Sequence, residues 1–336
     1  MDQQYFYQPT VTKNAAYYRE RARNALKGSY WYAFLAAMLA SLLGGVSTGN
    51  FSFNFNFGTN TEVGEEQANA FAVQIKDILV AVRSGDLSYI FDSYPWLAVF
   101  GVVFGVAVIF GIAFSLFVSA PVAVGYQRYN LNLMDGAGQT DIGVLFRYFK
   151  VGYGKTVAAR VLYGLISFAC SIPMLLGVLP LMYVSVKLGL HITLDQNPSD
   201  LVSVMGGEYS YPILFLLACL VFLAGSAATI ILSFVVQYRY AMSFLILAEY
   251  PEIGVVDAFR NSANLMRGKK WKLFCLQISF IGWMLLATMC TRGIGVMFLT
   301  PYMSAATAAF YDDIANRAAA RETEFPSLDP NDYIAD

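Results

Sequence analysis

Charge is scarce in this sequence. Asp, Glu, Lys and Arg make up 13% of its 336 residues, roughly half the share of a soluble domain. Because 57% of the residues are hydrophobic, insertion into a membrane is the first expectation. Histidine is nearly absent. The single His191 cannot build a His-based metal cluster, and its polar neighbourhood predicts an exposed loop or cap residue. The four cysteines, Cys170, Cys219, Cys275 and Cys290, fall in apolar runs without metal-ligand or redox spacing. They read as small buried hydrophobes, and no disulfide is implied. The sequence has no HExxH, GxSxG or Walker-type motif. Gly152-Tyr-Gly154-Lys155 is glycine-rich but lacks the spacing and preceding strand of a phosphate loop. An enzyme needs converging titratable groups, and none is evident, so no catalytic activity, cofactor or metal is expected. Ion-coupled transporters keep ionisable residues inside their spans. Here Arg160, Arg239 and Arg292 lie near the ends of apolar runs, and Gln277 and Thr288 are neutral. That argues against proton or sodium coupling.

What is present is organised around Leu265–Trp283, LMRGKKWKLFCLQISFIGW. Arg267, Lys269, Lys270 and Lys272 stand directly before an apolar run from Leu273 to Thr291. Basic residues at a helix end stay on the cytoplasmic side, and an indole such as Trp271 prefers headgroup depth. The stretch therefore predicts a stop at the inner membrane surface followed by a span. The N-terminal region matches it without gaps: Asn24, Leu26-Lys27-Gly28, Trp31 and Phe34 fall on Asn264, Met266-Arg267-Gly268, Trp271 and Phe274. At a second constant offset, Arg128-Tyr129 and Asp141-Ile-Gly-Val144 fall on Arg239-Tyr240 and Glu252-Ile-Gly-Val255. Such matches imply internal repeats. The expected form is three hairpins of membrane helices, each preceded by an inner amphipathic segment and related by an axis along the membrane normal.

The predicted fold class is an all-α membrane protein with six transmembrane helices as three hairpin repeats, interfacial amphipathic helices, and a small extracytoplasmic insertion. Residues 1–29 form a cytoplasmic interfacial segment, loose up to Thr12. In it a helix over Asn14–Lys27 groups Tyr18, Ala22, Ala25 and Leu26 on one side. Two readings fit this helix equally: it lies on an anionic membrane surface, or it is a solvated lead-in to a span. The spans fall at about 30–46, 96–120, 157–178, 213–236, 273–291 and 294–310, within a membrane domain of 30–311. The first is at the lower length limit for a crossing and is expected to act as an uncleaved anchor. Residues 47–94 are the insertion, with a strand signal in Phe51, Phe53, Phe55 and Phe57 and a helix over 68–82. Gly101, Gly105 and Gly111 predict close helix packing.

Pro121 ends the second span, a basic loop carries Arg128, Arg147, Lys150 and Lys155, Pro173 kinks the third span, and Pro301 interrupts the sixth. A polar segment over 187–211 follows the third span. Tyr238 to Ala248 is placed at the inner interface, followed by an amphipathic helix facing inward with Val255, Val256, Phe259, Ala263 and Met266. Residues 312–336 form a polar cytoplasmic tail. Every Lys and Arg except Lys76, Arg83, Lys187 and Arg292 then falls on the inner side. This asymmetry predicts a plasma-membrane protein with both termini cytoplasmic.

The final third resembles a bacterial family of integral membrane proteins, the domain of unknown function family nine hundred seventy-five. The residues carrying the resemblance run from Tyr240 through Glu249-Tyr-Pro251, then Leu265 to Phe274, Ser279 to Trp283, Pro301-Tyr302 and Phe310-Tyr311. Arg21-Ala22, Lys27-Gly28 and Trp31 also look like the family's opening, whereas the 47–94 insertion is long for it. The resemblance implies a multi-pass protein, no activity, and no functional residues to carry over.

The expected function is therefore non-enzymatic, acting through membrane lipids or other membrane proteins; nucleic acid is not an expected partner. A permease or export component for a small or amphipathic molecule is the alternative. Lys27, Trp31, Arg267, Lys269, Lys270, Trp271 and Lys272 are the candidate contacts for anionic lipid or a partner. The plainer reading of these same residues is that they set topology and do nothing more.

Overall fold

The computed structural model describes residues 13–45, 93, 95–136, 141–194, 210–291 and 294–317. The expected loose start, nearly all of the 47–94 insertion with its strand and helix, the Arg292-Gly293 turn and the tail beyond 317 lie outside the described residues. Those residues are helical throughout. The helices are α1 (Ala15–Leu26), α2 (Tyr30–Leu42), α3 (Pro95–Phe114), α4 (Ala120–Met134), α5 (Tyr153–Leu194), α6 (Ser210–Arg239), α7 (Ser243–Glu249), α8 (Val255–Leu265), α9 (Lys270–Ile278), α10 (Ile281–Thr291) and α11 (Ile294–Ile314). A π turn, Ser115–Ser119, joins α3 to α4, and a 3-10 helix spans Ile142–Phe149. Among the described residues, four stretches are long and apolar enough to cross a membrane: Val99–Met134, Tyr153–Ser185, Ile213–Glu249 and Lys270–Thr291. α2 has 13 residues, about 20 Å at 1.5 Å per residue against a hydrocarbon core of about 30 Å. It ends before the expected boundary at 46.

The chain divides into two compact units. One comprises Met1–Phe53, Ala113–Gly164 and Val235–Asp336; the other comprises Asn54–Ile112 and Leu165–Phe234. In the first, α4 is the core helix. Val122, Val124, Tyr129 and Leu131 are fully buried, against the 3-10 helix, α7, α11 and α2. This corrects two expectations, since the helix does not end at Pro121 and Arg128 is not in a loop. Pro121 has no N–H, so the carbonyl of Phe117 loses its usual helical donor. The backbone widens there into the π turn, and the Tyr153 hydroxyl donates to Phe117 O at 3.1 Å. The polar residues that suggested a loop are spent on backbone: Asn130 Nδ2 donates to Tyr126 O at 2.9 Å, and the Arg128 guanidinium reaches Ala248 O.

Gly125 lets the 3-10 helix sit on α4, because a Cβ there would lie 2.1 Å from Leu145 O. α7 is likewise core, with Leu245, Ile246, Leu247 and Ala248 at most 2% exposed. α8 turns Ala258, Phe259, Ser262, Ala263 and Leu265 inward, while Val256 faces out. α1 buries Tyr18, Ala22 and Leu26, the expected side apart from Ala25, but against protein and neither lipid nor water. It runs antiparallel along α11: Tyr18 meets Phe310 edge-on, and past the turn Phe34 stacks on Phe298.

Two hydroxyls in α4, Tyr126 and Tyr129, are buried without a hydrogen-bond partner among the described residues. Leaving a buried hydroxyl unpaired costs about 1–3 kcal/mol. Tyr129→Phe is therefore expected to leave the thermal midpoint in detergent unchanged or raised, and a fall of several degrees would show that the hydroxyl has a partner.

In the second unit the apolar residues face outward: Val99, Phe100, Phe104, Ile109, Phe168, Leu176, Leu216 and Ile230 are all exposed. In water each such side chain would forgo about 1.5–3 kcal/mol of burial. In lipid there is no such loss, and helices associate instead through close packing of small residues. A Cβ on Gly177 would lie 2.7 Å from Phe222 Cα, and one on Gly225 would lie 2.3 Å from Pro173 O. Beside Pro173, Met174 N donates to Thr229 Oγ1 at 3.1 Å, so α6 stabilises the proline site of α5. Gly101, Gly105 and Gly111, expected to mark close packing, have nothing within 4 Å of a built Cβ. α5 continues as helix through Leu194, where a polar segment was expected from 187.

Candidate functional site

The two basic turns take one local form. Lys27 N donates to Asn24 O at 3.2 Å and Ser29 N to Leu26 O at 3.2 Å; 240 positions on, Arg267 N donates to Asn264 O at 3.1 Å and Lys269 N to Met266 O at 3.2 Å. Each turn closes on a glycine in the left-handed region, Gly28 at φ 84° and Gly268 at φ 71°. Neither glycine would meet an atom on gaining a Cβ, so backbone angle and not space requires it. Each turn then presents an indole: Trp31 is 67% exposed and Trp271 68%. Each indole is braced by the aromatic ring three residues on, Phe34 or Phe274.

Lys27, Arg267 and Lys272 are exposed; Lys269 and Lys270 are half-buried. Burial lowers the Lys269 ammonium, which the Asp313 carboxylate raises again. The second turn gathers Arg267, Lys269, Lys270, Trp271 and Lys272, while Lys27 and Trp31 form the first. Their helices α1 and α9 are in contact. The glycine-rich Gly152 turn also has positive φ, and Lys155 Nζ there donates to the carbonyls of Pro251 and Glu252 at 2.8 and 2.9 Å. That lysine clamps the Pro251–Glu252 loop.

A buried ion network was not legible in the sequence. Arg317 forks to Glu249 at 2.6 Å, Asp135 at 3.0 Å and Asp312 at 3.2 Å. Arg21 pairs with the same Asp312, whose side chain is fully buried. The Tyr311 hydroxyl donates to Glu249 Oε2 at 2.5 Å, and the Tyr18 hydroxyl to Asp313 Oδ2 at 2.7 Å. Burial works against the Arg317 charge, but Glu249 and Asp135 outweigh it and hold the guanidinium above its usual range. The network ties together α1, α7, the end of α4 and the end of α11. Asp312 therefore belongs to a helix and to the core, where a polar tail was expected to begin. The cysteines also depart from expectation: Cys170 is buried and Cys219 half-buried, but Cys275 and Cys290 are exposed, and all four are free thiols.

The first unit also holds a half-open cavity of about 390 Å³. Its polar lining includes Gln127, Arg160, Gln237, Tyr238, Gln277 and Thr307, and Phe244, Phe280 and Met284 add apolar surface. The Tyr238 hydroxyl donates to Gln277 Oε1 at 2.5 Å.

Helices long and apolar enough to cross a membrane, one of them (Lys270–Thr291) opening on a Trp-basic turn, define a membrane-type helical protein. The chain belongs to the family described as Protein of unknown function (DUF975), whose match covers residues 69–318. No curated protein and no solved structure matches the chain.

Proposed function

We propose that this is a non-enzymatic, multi-pass protein of the plasma membrane, with both termini cytoplasmic, that acts through anionic lipid held at its Trp-basic turns. The observation that carries this reading is the pair of matching turns, each offering an exposed indole beside exposed basic side chains. Indoles favour headgroup depth, and a lysine near an anionic leaflet is worth about 1 kcal/mol. Shared termini are supported by α1 packing on the end of α11 through Tyr18–Asp313 and Arg21–Asp312. In this reading the six crossings comprise the four long apolar stretches, α11, and the run begun by α2, which needs residues past Leu42 to complete its crossing. The shared turn form is what supports hairpin repeats.

In vesicles of mixed phosphatidylglycerol and phosphatidylcholine, lipid retained by the purified protein tests the reading. Changing Lys269, Lys270 and Lys272 together to Ala is expected to cut the preference for the anionic lipid by at least about tenfold at low salt. An unchanged preference would sink the proposal and leave the turns as topology signals. The alternative, a permease or export component for an amphipathic molecule, is favoured by the cavity. It requires a polar passage continuing from that cavity across the membrane.

A further inference from the structure

The cavity has a composition that the basic turns do not explain. Its lining carries one guanidinium, Arg160, and three side-chain amides, Gln127, Gln237 and Gln277, but no Asp or Glu. No carboxylate among the described residues lies within ion-pair distance of Arg160, and the Gln127 and Gln237 side chains make no hydrogen bond there. Arg160 is half-buried, so its charge is only partly solvated and gains from a counter-anion. Phe244, Phe280, Ile281, Met284 and Met303 add apolar surface to the lining.

Arg160 lies two helical turns past the start of α5, Gln277 two turns past the start of α9, and Thr307 two turns before the end of α11. That is about 10 Å from the helix end in each case. Ligand cavities run from about 300 to 1,000 Å³. At about 390 Å³ this one holds a compact head and the first part of a chain, not a whole two-chain lipid.

We infer that this cavity is a binding site for a single anionic, acceptor-rich headgroup, phosphate or carboxylate, carried on an apolar chain. Arg160 pairs with the anion, the glutamine amides donate to its oxygens, and the Phe and Met surface takes the chain. The site is separate from the Trp-basic turns and does not rest on the function proposed for them.

The test is binding to the full-length protein in a non-ionic detergent, by native mass spectrometry and titration calorimetry. The probes are a monoacylglycerol phosphate, the neutral monoacylglycerol, and inorganic phosphate. The expected result is one monoacylglycerol phosphate per chain, weakened at least tenfold by Arg160→Gln and retained within about threefold by Arg160→Lys. The neutral probe binds at least tenfold more weakly. Gln127→Glu, which sets a carboxylate beside the cavity, weakens binding as well and provides a second variant should Arg160→Gln fail to fold. The triple lysine-to-alanine variant at 269, 270 and 272 keeps the site, so the two proposals fail separately. Binding unchanged in both Arg160→Gln and Gln127→Glu, or equal binding of the neutral probe, would overturn the inference. Equally tight, Arg160-dependent binding of inorganic phosphate would overturn the assignment of a chain and make the ligand a free anion.

Discussion

Replacing Arg317 with Ala is expected to destabilise the protein by about 3–5 kcal/mol, the range for removing one partner of a buried ion pair. The side chain is 11% exposed and serves three carboxylates at once. Without it Glu249 and the fully buried Asp312 each lose a guanidinium partner. The cost lies less in lost attraction than in carboxylates left poorly solvated, above all the fully buried Asp312. Arg317→Lys is expected to recover only part of it, since an ammonium cannot fork in a plane to several acceptors. The control is the exposed pair Arg260–Asp257, where Arg260→Ala is expected to change stability by no more than about 0.5 kcal/mol. Thermal unfolding in detergent measures all three. A loss for Arg317→Ala as small as the control's would mean the network is not formed.

The other large effect is expected from a single methyl group. Gly125→Ala places a Cβ 2.1 Å from Leu145 O and 2.7 Å from Leu145 C and Cα. All three are backbone atoms that no rotamer change can move, so α4 and the 3-10 helix must separate. Overpacking of this kind costs typically 1–3 kcal/mol and occasionally more, and contact with backbone puts Gly125→Ala at about 3 kcal/mol or above. Gly101→Ala, with nothing within 4 Å, is expected to be neutral or slightly stabilising through helix propensity. If the two variants unfold alike, the crossing of α4 and the 3-10 helix is not as described.

These two predictions mark where the sequence could and could not be read. The Trp-basic turns were legible because their signal is local: a glycine, a basic residue before it and an indole three residues after it occupy fixed offsets, and the backbone follows. The apolar helices were legible because composition alone makes them. The ion network was not, because Asp135, Glu249, Asp312 and Arg317 look individually like loop or tail charges, and only the packing of α4, α7 and α11 brings them together. Glycine in a membrane helix also misled. Gly101 and Gly105 have the i, i+4 spacing of a packing face, yet the close approaches fall at Gly125, Gly177 and Gly225. Spacing marks a face but does not identify what lies opposite. Arg160 was read as a residue that reaches the interface, and no local signal could show that three glutamines from other helices share its cavity.

The central claim is that the turns at Gly28 and Gly268 sit at one headgroup level. The most direct measurement is depth-dependent fluorescence quenching by lipids brominated at graded chain positions, on variants that each retain one of the four tryptophans. The account predicts that Trp31 and Trp271 give the same shallow depth and that Trp283, which is exposed on α10, lies deeper. Different depths for Trp31 and Trp271, or quenching of either only at the bilayer centre, would contradict it.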